Sequence, residues 1–258
     1  MRSEFCFSDP GNKRQHLLSC KQRTYREKHN PHGLSSFNVT VEETDLWISA
    51  QAPFEKKAMK IVLDMRHQIK TYTGFHPDFL SSLVPVRPDF RAPDIVKKMI
   101  EASAKAKVGP MASVAGAIAQ EVGYGLLGIS KEVIVENGGD IFLSTRRPAT
   151  VSVFAGLSPL SEKLALVILP EQMPVGVCSS SATVGHSFSM GITDVTCVVS
   201  QDTALADAAA TALGNRIRSF ADLACLDRWA DEIGSIIGGV VIVKDHMAAW
   251  GNIELIEL

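Results

Sequence analysis

The pattern of apolar and polar residues changes from a strand period to a helix period in the first third of the chain. Over residues 37–50, apolar residues alternate with polar ones on both sides of Glu43-Thr44, which predicts a β-hairpin. From Pro53 to about Gly74, apolar residues recur every three or four positions, as they do on one face of an amphipathic helix. The sequence therefore predicts two strands followed by a long helix.

Prolines interrupt this pattern over residues 75–92, which predicts an irregular connector with at most one helical turn. A helix is predicted at about 94–106. Gly109-Pro110 then opens another helix, MASVAGAIAQEVGYGLL. Its many Ala and Gly residues indicate that neighbouring backbones approach it closely on more than one side.

Short apolar, β-branched runs dominate the rest of the chain. Strands are predicted at 132–136, 140–143, 149–155 and 164–169. A loop, CSSSATVGHSFSMG, leads to a strand at 193–200 and to the helix DTALADAAATAL; a helix at about 220–232 then precedes a terminal pair of strands, GGVVIVKD and IELIE. Strands paired with neighbours and helices grouped between them favour the α+β class over a regularly alternating parallel sheet.

The composition is that of an ordinary globular protein. The chain has 258 residues, 46% hydrophobic and 21% charged, which is enough for one large domain or two small ones with a real core. The formal net charge is -2, and Lys and Arg are scattered along the chain. This argues against nucleic acid or an anionic membrane surface as the main partner, and no apolar run reaches membrane-spanning length.

Cysteine usage indicates a reducing compartment. The five cysteines are odd in number and show no CxxC spacing, so neither a disulfide framework nor a structural zinc site is indicated, and we expect a cytoplasmic location. Leu17-Leu18-Ser19-Cys20 resembles a lipoprotein cleavage site, but the residues before it are polar where an apolar segment is needed. We expect a poorly ordered leader over 1–22 and one domain over 23–258.

The segment Asn137-Gly138-Gly139-Asp140 interrupts an apolar run and is the first candidate site. Asn-Gly between β-branched runs is a strong signal for a tight hairpin turn, and this explains the segment without a ligand. A two-residue turn at Asn137-Gly138 would leave Gly139 unexplained. Glycine at this position would let backbone amides approach a ligand, and Asp140 could accept a hydrogen bond from a hydroxyl or a ring N–H.

The second candidate is the loop of residues 178–191, more than half of which are Ser, Thr or Gly. Hydroxyls and backbone amides in such a loop can cradle a phosphate, although no Gly-Lys-Ser/Thr is present. The candidate ligand-binding residues here are Ser180, Ser181, Thr183 and Gly185. His186 is a candidate general base because imidazole titrates near neutral pH, but a loop histidine is also often an ordinary surface residue.

The third candidate is the helix DTALADAAATAL, in which Asp207 and Thr211 are four residues apart and share one face. A solvated outer face explains this equally well. A carboxylate and a hydroxyl one turn apart also suit a hard cation that keeps several waters and contacts substrate phosphates, as Mg²⁺ does.

Taken in order, these segments resemble the ApbE-like superfamily, whose best-known members are FAD-dependent, Mg²⁺-requiring FMN transferases with the motifs N-A-G-G-D and A-D-A-L-A-T-A. From about Arg23 onwards, with TYRE, ETDLWI, GPMASVAGAIAQEVG, IVENGGDI, SSSATVGHS and LADAAATA, the chain is similar to a cytoplasmic branch of that superfamily. The resemblance implies a T-fold-like antiparallel sheet packed with helices.

The resemblance also implies roles for the candidate residues. The turn Gly138-Gly139-Asp140 would line a pocket for FAD or a related nucleotide, and Asp207 and Thr211 would be Mg²⁺ ligands. His186 falls where the transferases carry a histidine that promotes attack of an acceptor threonine on the FAD pyrophosphate. The sequence departs from the pattern after His186, where Ser-Phe-Ser-Met replaces the usual Ile-Ile/Leu-Asp-Pro, and GPMASVAG lacks the usual lysine.

Two alternatives stay open from the sequence. Relatives of this branch suggest a role in sulfide assimilation on the route to homocysteine, for which Cys178 is the candidate thiolate, although a cysteine after VGV is also typical of an inert buried residue. The other alternative is a non-catalytic binding or assembly module. Exposed sheet edges in such folds make a homodimer our expectation for the assembly.

Overall fold

The computed structural model describes residues 33–182 and 191–258. The predicted leader over 1–22 lies outside the described residues, and so do the candidate site residues Thr183, Gly185 and His186. The described part contains two antiparallel sheets and a layer of helices.

The main sheet has eight strands, and every neighbouring pair in it is antiparallel. In chain order they are β1 (Ser35–Val41), β2 (Thr44–Ala50), β3 (Val133–Asn137), β4 (Asp140–Ser144), β7 (Val175–Ser180), β8 (Val195–Ser200), β9 (Gly238–Val243) and β10 (His246–Gly251). They lie side by side in that same order, so each strand pairs with the next one of this sheet along the chain.

The helices cover one face of the main sheet and enclose the larger core with it. They are α1 (Glu55–Phe75), α2 (Asp78–Ser81), α3 (Asp94–Ala106), α4 (Val114–Leu127), α5 (Thr203–Arg216) and α6 (Leu226–Ile233). Helix α5 is the central one, because ten of its fourteen residues are buried. Short 3₁₀ segments at Pro110–Ser113 and Phe220–Cys225 lead into α4 and α6.

A small second sheet covers the other face of the main sheet. It consists of β5 (Ala149–Ser152), β6 (Leu164–Ile168) and β11 (Glu254–Glu257), in the order β11-β6-β5. Leu166 and Ile168 pack with Val177 and Val199 of the main sheet in a separate apolar core. The fold therefore has three layers, and strands β8 and β9 of the main sheet are buried on both faces.

Most predicted elements are confirmed. The hairpin pairs Val41 with Thr44, the connector holds one short helix, and the third helix spans the predicted residues 94–106. Close approach to α4 on more than one side is also confirmed. A Cβ on Gly123 would lie 2.1 Å from the Phe142 ring, and one on Gly125 would lie 2.5 Å from Ile61.

The start of one loop and the pairing of the C-terminal strands were predicted wrongly. The loop predicted from Cys178 begins later, because β7 runs to Ser180 and pairs with β8. The two C-terminal strands do not pair with each other. Strand β9 pairs with β10, whose sequence HMAAWG shows no clear alternation, and β11 crosses to the second sheet to pair with β6.

No helix within residues 33–182 and 191–258 combines the length and the apolar character that crossing a membrane would require.

Candidate functional site

Four polar residues lie near one end of the central strands of the main sheet, on the face that packs against the helices. Residues Val135, Phe142, Cys178 and Val198 face the helices, because they belong to the helix-side core. Side chains two positions away along a strand face the same side. We call the resulting set the polar row, and it consists of Asn137 in β3, Asp140 in β4, Ser180 in β7 and Thr196 in β8.

The glycine turn that begins the polar row is centred one residue later than the sequence predicted. Asn137 and Asp140 are paired strand residues, so the two turn residues are Gly138 and Gly139, with φ of 71° and 130°. Both conformations favour glycine. Gly139 is therefore needed by the turn itself, and its presence gives no separate signal for a ligand. The Asn137 side chain donates from Nδ2 to the Ala115 carbonyl at 3.0 Å, which ties the turn to α4.

Asp207 is held at the start of α4. Its Oδ2 accepts a hydrogen bond from the Gly116 N–H at 2.9 Å, and the Ala115 N–H also donates to this carboxyl group. The approach requires a glycine, because a Cβ at position 116 would lie 2.4 Å from the Thr203 carbonyl oxygen and 2.8 Å from Asp207 Cβ. Asp207 and Asn137 thus both bond to the backbone at the start of α4.

The carboxyl group of Asp140 is buried and interacts electrostatically with that of Asp207. We call these two groups the carboxyl pair. Burial, the largest effect, raises the pKa of Asp140 to about 7, and the charge of Glu136 adds to this, while hydrogen bonds from Cys178 and the Ser179 N–H oppose it. Burial also raises the pKa of Asp207 well above its usual value, with Asp140 as the next contribution. Among the described residues, Asp140 Oδ1 has no hydrogen-bond partner.

Cys178 is fully buried beneath α5. Its Sγ donates to the Thr203 carbonyl at 3.4 Å. Burial raises the pKa of the Cys178 thiol well above its usual value, and the charges of Asp140 and Asp207 raise it further. The group is therefore a protonated, shielded thiol, which is the opposite of the exposed thiolate that a sulfur carrier needs.

The other candidate residues that the structure describes are Thr211, Ser180 and Ser181. Thr211 is half-buried on α5, one turn beyond Asp207, so the two do share a helix face as the sequence predicted. Ser180 is a half-buried member of the polar row, and Ser181 follows directly after β7. The structure thus brings Asn137, Asp140 and Asp207 together around the start of α4.

Thr196 was missed by the sequence analysis. It pairs with Ser180 across β7 and β8, and its Oγ1 is buried without a hydrogen-bond partner among the described residues. A threonine inside a β-branched run has the expected strand propensity, so the sequence held no signal for it. Its place in the polar row follows only from the register between β7 and β8.

The site suits a hard cation, although no group of three or more His, Cys, Asp or Glu within residues 33–182 and 191–258 is arranged to hold a metal ion. The carboxyl pair supplies two oxygen ligand groups with raised pKa, and Asp140 Oδ1 lacks a partner. Carboxylate and hydroxyl oxygens match Mg²⁺, which completes its coordination with waters and substrate phosphates. The carboxyl and hydroxyl oxygens present are therefore of the type that a Mg²⁺ ion binds.

Comparison with known sequences identifies relatives over most of the chain. The model of the family described as "AbpE bacteria" matches residues 26–234. A UPF0280 protein of Methanocella arvoryzae is 41% identical over 217 residues, covering 84% of this chain and 88% of the relative. A UPF0280 protein of Methanothrix thermoacetophila is 43% identical over 206 residues, covering 78% and 84%.

Comparison with solved structures shows a shared fold. The apo form of the flavinyl transferase ApbE from Pseudomonas stutzeri superposes with a TM-score of 0.50 at 11% identity, covering 84% of this chain and 94% of that one. A mutant of the flavin transferase ApbE from Vibrio cholerae gives a TM-score of 0.56 at 12% identity, covering 84% and 96%. The α+β arrangement predicted from the sequence is confirmed by both.

Proposed function

This chain belongs to the family described as "AbpE bacteria", as its resemblance to the ApbE-like superfamily predicted, and from that premise we propose that it binds a flavin nucleotide with Mg²⁺. The ligand is FAD or a related nucleotide, and the reaction is a flavin or phosphoryl transfer. The flavin transferase structures that share the fold support the ligand class.

The carboxyl pair carries this proposal. The buried Asp140 and the half-buried Asp207 interact unfavourably, and like charges shielded from water are costly unless a cation or a proton compensates them. A protein gains no stability from such an arrangement, so a ligand that supplies positive charge accounts for it better than a structural role does.

Each residue then has a defined task. Asp207 and Thr211 hold the Mg²⁺ ion, and the Gly116 and Ala115 amides orient the Asp207 carboxyl group. Asp140 and the glycine turn line the nucleotide pocket, and Ser180, Ser181, Thr183 and Gly185 surround its phosphates. Bound Mg²⁺ would neutralise negative charge on the pyrophosphate.

We assign the proton transfer to His186, which lies outside the described residues. A hydroxyl of the acceptor attacks one phosphorus of FAD, the bond to the bridging oxygen breaks, and AMP leaves. The imidazole takes the hydroxyl proton. With water as the acceptor, the products are FMN and AMP.

The test measures FAD binding by fluorescence with and without Mg²⁺, and follows FMN and AMP by chromatography. Wild type should bind FAD more tightly with Mg²⁺ and release both products. Asp207→Asn should lose the Mg²⁺ effect on binding, because a neutral amide is a poor ligand for a hard cation. His186→Ala should retain binding and lose product formation.

Asp231→Asn is the matched control, because Asp231 is exposed on α6, and it should behave as wild type. Wild-type protein that neither binds FAD nor forms products, or Asp207→Asn that equals wild type in both assays, would contradict the proposal. Binding without product formation would instead favour the non-catalytic binding module.

We also propose a cytoplasmic homodimer. The free cysteines Cys178, Cys197 and Cys225 fit a reducing compartment, and β1 and β10 are the edges of the main sheet, where a second copy can pair. Native mass spectrometry of gently purified protein gives the mass of the assembly and of any retained nucleotide in one measurement. A monomer mass at all concentrations would exclude the homodimer.

A further inference from the structure

A cleft of about 680 Å³ lies at the opposite end of the main sheet from the polar row. Strand β8 runs from Thr196 in the polar row to Ser200 at the cleft. The walls come from α3, α4 and the start of α5, and the cleft volume is within the range of small-molecule sites. The residues that matter here are Lys105, Gln120, Tyr124, Asp202, Ile236 and Ile237.

Gln120 of α4 presents an unused donor to this cleft. Only 7% of the residue is exposed, and its Oε1 accepts a hydrogen bond from the Thr203 N–H at 2.5 Å. This contact fixes the orientation of the amide. Its Nε2, with two N–H groups, has no partner among the described residues. These two N–H groups are therefore available to a ligand in the cleft.

Two further donors line the same cleft. Lys105 of α3 is exposed, and Tyr124 of α4 is 46% exposed. Within the described part of the chain, neither the Lys105 ammonium nor the Tyr124 hydroxyl has a hydrogen-bond or ion-pair partner. The lining of the cleft thus contains three kinds of donor, together with one positive charge on Lys105 and one negative charge on Asp202.

Asp202 brings a negative charge to the same lining, and its carboxylate is bonded to the N-terminus of α5. Asp202 Oδ1 accepts hydrogen bonds from the Ala204 and Leu205 N–H groups at 3.1 and 3.2 Å, so its carboxylate is stabilised as the N-cap of α5. The first N–H groups of α5 are likewise occupied. The donors that face a ligand are therefore side chains, and Ile236 and Ile237 add an apolar wall beside them.

We propose that this cleft binds a small organic anion. Its carboxylate or phosphate group accepts hydrogen bonds from Lys105, Gln120 and Tyr124, and its apolar body packs against Ile236 and Ile237. The site is separate from the polar row, so the inference does not depend on the proposed flavin function.

The test uses ¹⁹F NMR of protein labelled with 3-fluorotyrosine. The chain has three tyrosines, Tyr25, Tyr72 and Tyr124, and Tyr124→Phe assigns the signal of interest by its loss. The probes are phenyl phosphate, benzoate and, as a neutral match, benzyl alcohol. We expect the Tyr124 signal to shift saturably with at least one anion and not with benzyl alcohol, while the other two signals stay in place. The two anions distinguish a phosphate ligand from a carboxylate.

Lys105→Gln should weaken binding about tenfold, because it removes a charge-assisted hydrogen bond from an exposed residue without disturbing the core. Lys60→Gln is the matched control, since Lys60 is exposed on α1, and it should bind as wild type. Gln120→Glu keeps an oxygen for the Thr203 N–H and replaces the free donors with an acceptor, so it should abolish binding; thermal melting checks its folding.

The proposal is overturned if neither anion shifts the Tyr124 signal, or if benzyl alcohol binds as well as the anions. It is also overturned if Lys105→Gln and Lys60→Gln weaken binding equally, since that result shows attraction by overall charge alone.

Discussion

At the scale of the residue, Cys178 illustrates how burial decides the chemistry of a side chain. The sequence shows a thiol beside a Ser/Thr-rich segment, which suits a reactive thiolate and an inert core residue equally well. In the fold the Sγ atom lies under α5, near two carboxyl groups. Each of these surroundings raises the pKa of the thiol, so very little thiolate exists at neutral pH.

We therefore expect Cys178 to be alkylated by iodoacetamide more slowly than a small model thiol at pH 8. Peptide mass spectrometry of native protein gives the rate at each cysteine. Cys225 is the internal comparison, because it is half-buried and should react faster. Modification of Cys178 should become fast once the protein is unfolded in urea. Rapid alkylation in the native protein would restore the sulfur-carrier hypothesis.

For the individual site residues, the sequence could predict only the residue type and its spacing from other candidates. Asp207 and Thr211 follow from helix periodicity, and Asp140 from its position after two glycines. The pairing of Asp140 with Asp207 could not be predicted, because it depends on α5 lying across β4. Thr196 could not be predicted for the same reason, since its role depends on its register with Ser180.

At the scale of the element, the contact between α4 and α5 depends on one glycine. Gly116→Ala places a Cβ within 2.4 Å of the Thr203 carbonyl oxygen, so the helices must separate. We expect the free energy of unfolding in urea to fall by about 1 to 3 kcal/mol, as for other overpacked cores. The same shift should weaken Mg²⁺-dependent FAD binding, because the Gly116 N–H positions Asp207.

Gly74→Ala provides the control for this prediction. Gly74 lies in the last turn of α1, and a Cβ there would meet no heavy atom within 4 Å. Alanine is the better helix former by up to about 1 kcal/mol, so stability should be unchanged or slightly higher. If both variants lose the same stability, then close packing at Gly116 is not the cause.

Elements with a strong hydrophobic periodicity were predicted with accurate bounds. Elements that form only because a neighbouring strand pairs with them were not. Helix α3 is amphipathic with seven buried residues, and its bounds were predicted correctly. Strand β10 has only one buried residue, so it shows little apolar signal. It forms because β9, which is buried along its whole length, offers it hydrogen-bonding groups that need partners.

At the scale of the whole molecule, the three-layer arrangement explains why the sequence predicts the class and not the full topology. Neighbouring strands of the main sheet follow chain order, which local patterns can suggest. The second sheet joins β6 to β11, and Leu166 pairs with Leu255. A contact between residues so far apart in the chain leaves no local signal, and the burial of the outer face of the main sheet depends on it.

The carboxyl pair should make the stability of the whole protein depend on pH in a Mg²⁺-free buffer. The pKa of Asp140 rises from 3.8 to about 7 on folding, so the folded state binds more protons than the unfolded state between these values. The stabilisation from this group is complete below about pH 4 and is lost as the pH rises to about 7, on the order of 4 kcal/mol in total. Asp140→Asn should remove this loss.

Urea unfolding of wild type and Asp140→Asn in EDTA, at pH values from 5 to 8, measures the effect as a difference between the two proteins. The variant should gain stability over wild type as the pH rises, while Asp231→Asn should follow wild type. Adding Mg²⁺ at pH 8 should stabilise wild type more than Asp140→Asn, because a cation compensates the ionised pair as a proton does at lower pH. A difference that stays constant from pH 5 to 8 would show that Asp140 is ionised throughout, and the charge argument for a cation at this site would fail with it.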